Sequence, residues 1–377
     1  MIIPTLFMII RSIMMKKLLI TILLLLCIPS FKVDAADYEL KNGKALEGTY
    51  AGEAETDYHY YKIIPSKNGF IAITATTSDN QNLLIDICDK DRNIIASDIS
   101  IADKQTVMHK VKKKTEYYVR IKGTPDALYT ISYKMKTFDT LKYAKKYSYT
   151  FTNASFTDKS NNITLKIKSS IHGNLNLMCK TDHLVAVQYL NSKKKVISNT
   201  NVLMDNSLSG IGVKADKVYY VRMWNKDKLT SGTTTIENMK YQIKSVINAS
   251  NTSRGRAYTL SNNAYKESLV PADTKSTYWY KVKLSKDQKL SIYVESRILQ
   301  MNGSGLQLDL YNRDGKKITS KSIPINEESF ATYKKKKYRM NYPVKNITTG
   351  ELPSDTYYIR IVSKSKKTSG SFRVKWK

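Results

Sequence analysis

The pentapeptide Tyr-Tyr-Val-Arg-Ile at residues 117–121 returns as Tyr-Tyr-Val-Arg-Met at 219–223 and as Tyr-Tyr-Ile-Arg-Ile at 357–361. Apolar or aromatic residues alternate with the others along it, which is the period-2 pattern of a half-buried β-strand. We expect its first, third and fifth residues to face a hydrophobic core, and Tyr118 and Arg120 to face the opposite side. Three copies of this strand predict three copies of one domain.

The sequence on both sides of the pentapeptide aligns as well. An alternating strand and a polar turn precede it, as LLIDICDKD at 83–91, LQLDLYNRDG at 306–315 and, less closely, VAVQYLNSK at 185–193. Further short strands align upstream at 61–63, 165–167 and 280–282, then at 71–73, 175–177 and 290–292, and downstream at 129–133, 241–243 and 372–376. Because turn residues separate these strands and no long helical period occurs, the sequence predicts an all-β chain of tandem antiparallel β-sandwiches.

The spacing of the copies predicts the domain limits. We expect domains at residues 36–138, at 139–250 for a divergent second copy, and at 251–377, with a basic insertion at 327–349 in the third copy. The small polar residues at 248–255 are typical of a linker. Cys88 and Cys179 fall in different copies, so we expect free thiols.

The pattern resembles the bacterial pre-peptidase C-terminal domain family. The resemblance is carried by the aromatic strand starts at 58–63 and 278–282, the strand and Asn-Arg-Asp-Gly turn at 306–315, and the pentapeptide at 357–361. It covers the first and third copies better than the second. It implies jelly-roll-like β-sandwiches that are extracellular and non-catalytic, and that are often appended to peptidases.

The N-terminal residues have the form of a signal peptide. Two lysines precede an apolar run at 18–28, and a small-residue cleavage site lies at 33–35, so we expect residues 1–35 to be a leader. The natural start is expected at Met14 or Met15. An uncleaved anchor is the alternative, although a spanning helix needs about 20 apolar residues. No later stretch is long and apolar enough to span, which predicts a secreted or cell-surface protein with no transmembrane helix in its mature part.

The chain is strongly basic. It has 62 Lys and Arg against 32 Asp and Glu, a net charge of +30. Such a charge favours anionic partners, and we expect an anionic cell-wall polymer or polysaccharide rather than a specific nucleic acid. The alternative is compositional, because a chain rich in Lys, Asn, Ile and Tyr is typical of an AT-rich bacterial genome.

No enzyme signature is present, so a catalytic role is not predicted. The four histidines form no His-Glu-x-x-His motif, and no Gly-x-Ser-x-Gly motif occurs. His172, Cys179 and His183 lack the paired spacing of a zinc site. Two acidic turns, with Asp86, Asp89 and Asp91 in one and Asp309 and Asp314 in the other, leave calcium open as a cofactor, although Asp is first of all a turn former.

The candidate ligand-binding residues are aromatic or basic. Exposed rings in a flat row can stack on sugar rings, and a lysine run in an insertion can bind anions. The alternatives are half-buried rings at the sandwich edges and a solvated charge run. The candidates are Tyr58, Tyr60, Tyr278, Trp279, Lys334, Lys335, Lys336, Lys337 and Arg339.

These features predict a non-catalytic binding or adhesion protein for anionic wall polymer or glycan. A passive spacer or scaffold in an extracellular assembly is the alternative, and an unrecognised hydrolase is a third. For the outward Tyr118 and Arg120, recurrence in all copies favours a structural contact, with Arg120 over a ring or against a cross-strand carboxylate.

Overall fold

The computed structural model describes residues 38–50, 58–77, 81–138, 140–298, 304–324 and 344–377. Within these ranges the chain forms 24 β-strands, two short 3-10 helices and no α-helix. The predicted all-β class is therefore confirmed. The described part of the chain contains no helix long and apolar enough to cross a membrane.

The first unit packs two sheets around one core. Its strands are β1 Tyr38–Glu39, β2 Ala45–Tyr50, β3 His59–Ile63, β4 Gly69–Thr77, β5 Asn82–Cys88, β6 Ile94–Ala102, β7 Lys104–Val111, β8 Tyr117–Lys122 and β9 Ala127–Lys136. Sheet A has the order β1-β3-β8-β5-β6, and the second layer has the order β7-β4-β9-β2. Side chains from both layers, among them Ile63, Ile73 and Val119, share one buried cluster.

The third unit repeats this topology strand for strand. Its strands are β16 Tyr258–Thr259, β17 Lys266–Val270, β18 Thr277–Lys283, β19 Gln288–Ile298, β20 Leu306–Tyr311, β21 Lys317–Ile323, β22 Val344–Leu352, β23 Thr356–Ser363 and β24 Gly370–Trp376. Sheet C has the order β16-β18-β23-β20-β21, and its facing layer has the order β17-β24-β19-β22. The last part of the predicted insertion, 344–349, thus belongs to strand β22.

The second unit has fewer and longer strands. They are β10 Tyr147–Thr152, β11 Ile163–Lys168, β12 Gly173–Leu190, β13 Asn201–Val213, β14 Val218–Asn225 and β15 Thr233–Ser245. One 3-10 helix, Asn153–Ser155, directly follows β10, and the other, Arg254–Arg256, lies between β15 and β16. The prediction of separate strands at 175–177 and 185–189 is wrong, because β12 runs through both. Its first half pairs with β15 and its second half with β14, so one strand serves both layers.

The three pentapeptides lie in equivalent strands, β8, β14 and β23. Tyr117, Val119 and Ile121 are buried as predicted, and the same holds for their counterparts in the other two copies. Each copy pairs on one side with the strand aligned at 61–63, 165–167 or 280–282, which is β3, β11 or β18, and on the other side with β5, β12 or β20. The alternation of side chains therefore predicted correctly which side of these three strands faces the core.

Direct contacts join neighbouring units. Strand β10 lies beside β7 through Phe151 and Met108, which makes one 10-stranded sheet of the first unit's second layer and part of the second unit. His109 Nδ1 lies 2.8 Å from Thr152 Oγ1 at this junction. Between the second and third units, Asn174 Nδ2 donates to Ser371 Oγ at 2.8 Å.

The segment at 248–255, predicted as a linker, is packed against sheet C. Asn251 is fully buried. Its carbonyl accepts from the Trp279 N–H at 2.7 Å, and its side-chain amide donates to the Trp279 carbonyl at 2.7 Å. This segment therefore provides the hydrogen-bond partners of the Trp279 backbone N–H and C=O in strand β18.

Candidate ligand-binding faces

Face A, the outward side of sheet A, carries a cluster of rings and cations. Tyr58 and Tyr60 have ring centroids 6.3 Å apart, and Tyr60 and Tyr118 are also 6.3 Å apart, edge to face. The Arg120 guanidinium lies 4.0 Å from the Tyr58 centroid, and that of Arg92 lies 4.6 Å from the Tyr60 centroid. These are cation–π distances, so the rings and guanidinium groups pack on one another.

Charges on face A are largely paired. Arg120 Nε and Nη2 donate to Asp86 Oδ2 at 3.0 and 2.6 Å. Lys62 Nζ lies 2.5 Å from Glu116, and the Tyr118 hydroxyl donates to the same carboxylate at 2.6 Å. The predicted structural contact of Arg120 combines both alternatives, since it touches a ring and a cross-strand carboxylate.

Face C, the outward side of sheet C, has the same plan with a tryptophan. The Trp279 and Tyr311 ring centroids are 5.4 Å apart. The Arg360 guanidinium lies 5.8 Å from the Trp279 centroid and 5.7 Å from that of Tyr311. Arg254 lies 4.3 Å from the Tyr358 centroid and donates to the Asn312 carbonyl at 3.3 Å. Trp279, Tyr311 and Tyr358 all stay half-buried, with part of each ring in solvent.

Face C is cationic. Asp309 is buried, with Arg360 Nη2 at 2.6 Å and Lys317 Nζ at 3.5 Å. Burial raises the pKa of Asp309, but hydrogen bonds from Ser320 and Arg360 and the charges of Arg360 and Lys317 outweigh it and lower the pKa. Arg360 and Lys317 thus balance the charge of the Asp309 carboxylate. Lys281 and Lys283, which lie on the same side of β18, are exposed.

Face B is the outward side of β11, β14 and residues 185–190 of β12. Thr164 lies across from Arg222, where the other copies have Tyr60 and Trp279. The Lys194 ammonium lies 5.7 Å from the Tyr220 centroid. Face B therefore keeps the arginine and the second tyrosine of the pentapeptide but lacks the neighbouring ring.

The candidate binding residues predicted from the sequence differ in where the structure places them. Tyr58, Tyr60 and Trp279 are half-buried on faces A and C. Tyr278 is 3% exposed and points into the core, where its ring lies 5.4 Å from that of Phe372. A ring that packs inside the sandwich cannot stack on a ligand, so this candidate is wrong. The candidates Lys334, Lys335, Lys336, Lys337 and Arg339 lie outside the described residues.

Other residues of these faces were missed at the sequence level. Arg254 lies in the supposed linker and reaches face C only because that segment folds back against the sheet. Tyr311 follows Leu310 in the alternating strand and was not among the candidates. The period-2 pattern could have placed Tyr311 on the same side as Arg360, but it could not show that the two strands are neighbours.

The acidic turns serve the fold. Asp89 Oδ1 accepts from the N–H groups of Asp91 and Asn93, both at 2.9 Å, as a turn-forming aspartate does. Asp86 and Asp309 contact arginines. Within the described ranges no group of three or more His, Cys, Asp or Glu side chains could hold a metal ion.

His172 and Cys179, two of the residues considered for a zinc site, each have a separate structural role. His172 Nδ1 accepts from the Ala215 N–H at 3.1 Å. Cys179 is buried, and burial raises the pKa of its thiol to about 12. Cys88 and Cys179 are both free, as predicted.

No family model matches the sequence, and no curated protein matches it. Among solved structures, the tandem CBM51 modules of a family 98 glycoside hydrolase from Streptococcus pneumoniae match with 12% identity and a TM-score of 0.17, over 57% of this chain and 79% of that one. A triple jelly-roll protein of an archaeal virus matches with 10% identity and a TM-score of 0.22, over 89% and 90%. Tripeptidyl peptidase 2 matches with 8% identity and a TM-score of 0.20, over 90% and 32%.

Proposed function

We propose that this protein is a secreted or cell-surface, non-catalytic binding protein for an anionic glycan or cell-wall polymer, and that face C is its principal binding face. The observation that carries the proposal is the position of Trp279. Its half-buried ring lies beside Tyr311 and Arg360, with exposed Lys281 and Lys283 further along the sheet.

The chemistry of face C suits an acidic sugar. An aromatic ring offers a flat apolar surface to the carbon face of a sugar ring, and its edge tolerates polar neighbours. Lysines nearby attract carboxylate or phosphate groups along the polymer. Since Arg360 and Lys317 neutralise Asp309, the buried carboxylate of this face does not repel an anionic ligand.

Binding should be tested with the full chain on purified cell wall and on an acidic polysaccharide, at low and high salt. Trp279→Ala removes the ring, and the double variant Lys281→Gln/Lys283→Gln removes two charges. A matched control, Lys142→Gln/Lys146→Gln, removes two exposed charges from a turn of the second unit. We expect salt-sensitive retention that falls at least fivefold in both face C variants and stays within twofold in the control.

The alternative function is that of a passive spacer whose charge follows genome composition. The contacts between the units favour it, because they make the chain continuous from one sandwich to the next. No retention at low salt, or an equal loss in the control variant, would leave the spacer as the better proposal. The resemblance to pre-peptidase C-terminal domains, and the export that it implies, stay predictions.

A further inference from the structure

The arginine of the pentapeptide has lost its carboxylate in the second unit. In cross-strand register, Arg120 faces Asp86 and Arg360 faces Asp309, but Arg222 faces Gln188. The Gln188 side-chain amide donates to Thr200 Oγ1 at 2.8 Å, away from the arginine. Both Arg222 Nε and Gln188 Oε1 are shielded from solvent and have no hydrogen-bond partner.

The Nε–H of Arg222 lacks an acceptor in a place that is shielded from water. Leaving a buried donor without an acceptor costs the desolvation free energy of that donor. The two other copies show what the geometry accepts, since Nε and Nη2 of each arginine donate to one carboxylate oxygen. In the second unit Gln188 takes the place of that carboxylate without bonding to Arg222, so this guanidinium lacks the anion that its two counterparts have.

The rest of face B would not repel an anion. Residues 163–168, 185–190 and 218–225 contain no Asp or Glu. Lys166 and Lys168 are exposed on β11, and Lys194 lies over the half-buried ring of Tyr220, which precedes Arg222 by two residues on β14. Arg222 itself is half-buried, so part of its side chain remains open to a ligand.

We infer that Arg222 is an anion-recognition residue, and that the part of its guanidinium open to solvent binds the carboxylate of an acidic sugar. The inference rests on the proposed function for the ligand class, but it assigns a second site on a different unit. On face C the ring of Trp279 stacks on the polymer, and on face B the guanidinium of Arg222 binds an acid group of the same polymer.

The matched test restores the missing aspartate. Gln188→Asp recreates the pair of the other two units and leaves Arg222 in place, and Arg222→Gln removes the guanidinium. In the full chain, the Nε–H resonance of Arg222, assigned by its loss in Arg222→Gln, is followed by NMR during titration with galacturonate. We expect a saturable shift in the unmodified protein. In Gln188→Asp we expect a resonance close to those of Arg120 and Arg360 that no longer moves.

Retention on polygalacturonate provides the second measurement. We expect a threefold or larger loss in both Gln188→Asp and Arg222→Gln, with the thiol of Cys179 still protected as the sign of an intact fold. The inference would be overturned if both variants were retained as well as the unmodified protein and if galacturonate did not move the Arg222 Nε–H resonance of the unmodified protein. A larger shift with glycerol phosphate than with galacturonate would overturn the assignment to carboxylate.

The two proposals can fail separately. If Trp279→Ala leaves retention intact while Gln188→Asp lowers it, face C is wrong and Arg222 stands. If Trp279→Ala lowers retention and Gln188→Asp does not, the inference on Arg222 is wrong and the proposed function stands.

Discussion

Arg120 and Asp86 form a two-donor contact across strands β8 and β5, with Nε at 3.0 Å and Nη2 at 2.6 Å from the same carboxylate oxygen. Arg360 and Asp309 repeat these distances on strands β23 and β20. A charge-assisted pair of this kind fixes register as well as adding free energy. The polar position of the pentapeptide is therefore part of the framework in the first and third units.

Asp86→Asn should destabilise the first unit. The Arg120 and Asp86 side chains are each 16% exposed, so removing the negative charge leaves a poorly solvated guanidinium, and we expect a loss of about 2 kcal/mol in the free energy of unfolding. Denaturant unfolding measures it. Asp91→Asn is the control, because the Lys90–Asp91 pair is exposed and should contribute under about 0.5 kcal/mol. Equal effects of the two variants would contradict the prediction.

His109 should make stability fall in mild acid. Burial lowers its pKa from 6.5 to about 4, so the folded protein holds the neutral ring and the unfolded chain binds the proton first. The contribution is fully present above pH 6.5 and is lost as the pH falls from 6.5 toward 4, by up to about 3 kcal/mol. Unfolding as a function of pH should show this slope, and His109→Gln should flatten it. A slope that persists in His109→Gln would contradict the prediction.

Gly212→Ala should open the junction of the second and third units. A Cβ at residue 212 would stand 2.3 Å from the Val270 carbonyl oxygen and 2.8 Å from that of Gly370, both of them backbone atoms. We expect faster limited proteolysis near residue 250 and a lower melting temperature. At Gly255 a Cβ would meet nothing within 4 Å, so Gly255→Ala is the control. Proteolysis at the unmodified rate in Gly212→Ala would show that the junction tolerates the shift.

Cys88 and Cys179 should resist alkylation in the native protein. Cys88 is 0% exposed and Cys179 is 5% exposed. Burial raises the pKa of Cys88 to about 11 and that of Cys179 to about 12, so little thiolate forms at pH 8. Both thiols should react only on unfolding, as followed by thiol titration against denaturant. Rapid labelling of either one under native conditions would contradict the burial.

Much of the architecture was predictable because it is local. The alternation of apolar residues determined the strands, the pentapeptide fixed which strands are equivalent, and the separation of Cys88 from Cys179 predicted free thiols. In the second unit the same alternation predicted two strands, but β12 runs through both of them. The strand continues across the residues between 177 and 185 as it passes from one layer to the other.

The sequence by itself determined the class of fold and the inward side of the pentapeptide strands. Only the tertiary structure decided which rings reach solvent and which charges are paired. In the strand at 278–280 every residue is aromatic, so a period of two could not tell the inner side from the outer, and packing against Phe372 turned Tyr278 inward and Trp279 outward. The partner of each arginine lies on a strand 34 to 51 residues away, and strand order sets that neighbour. For the same reason the unpaired state of Arg222 appears only once β14 is placed beside β12.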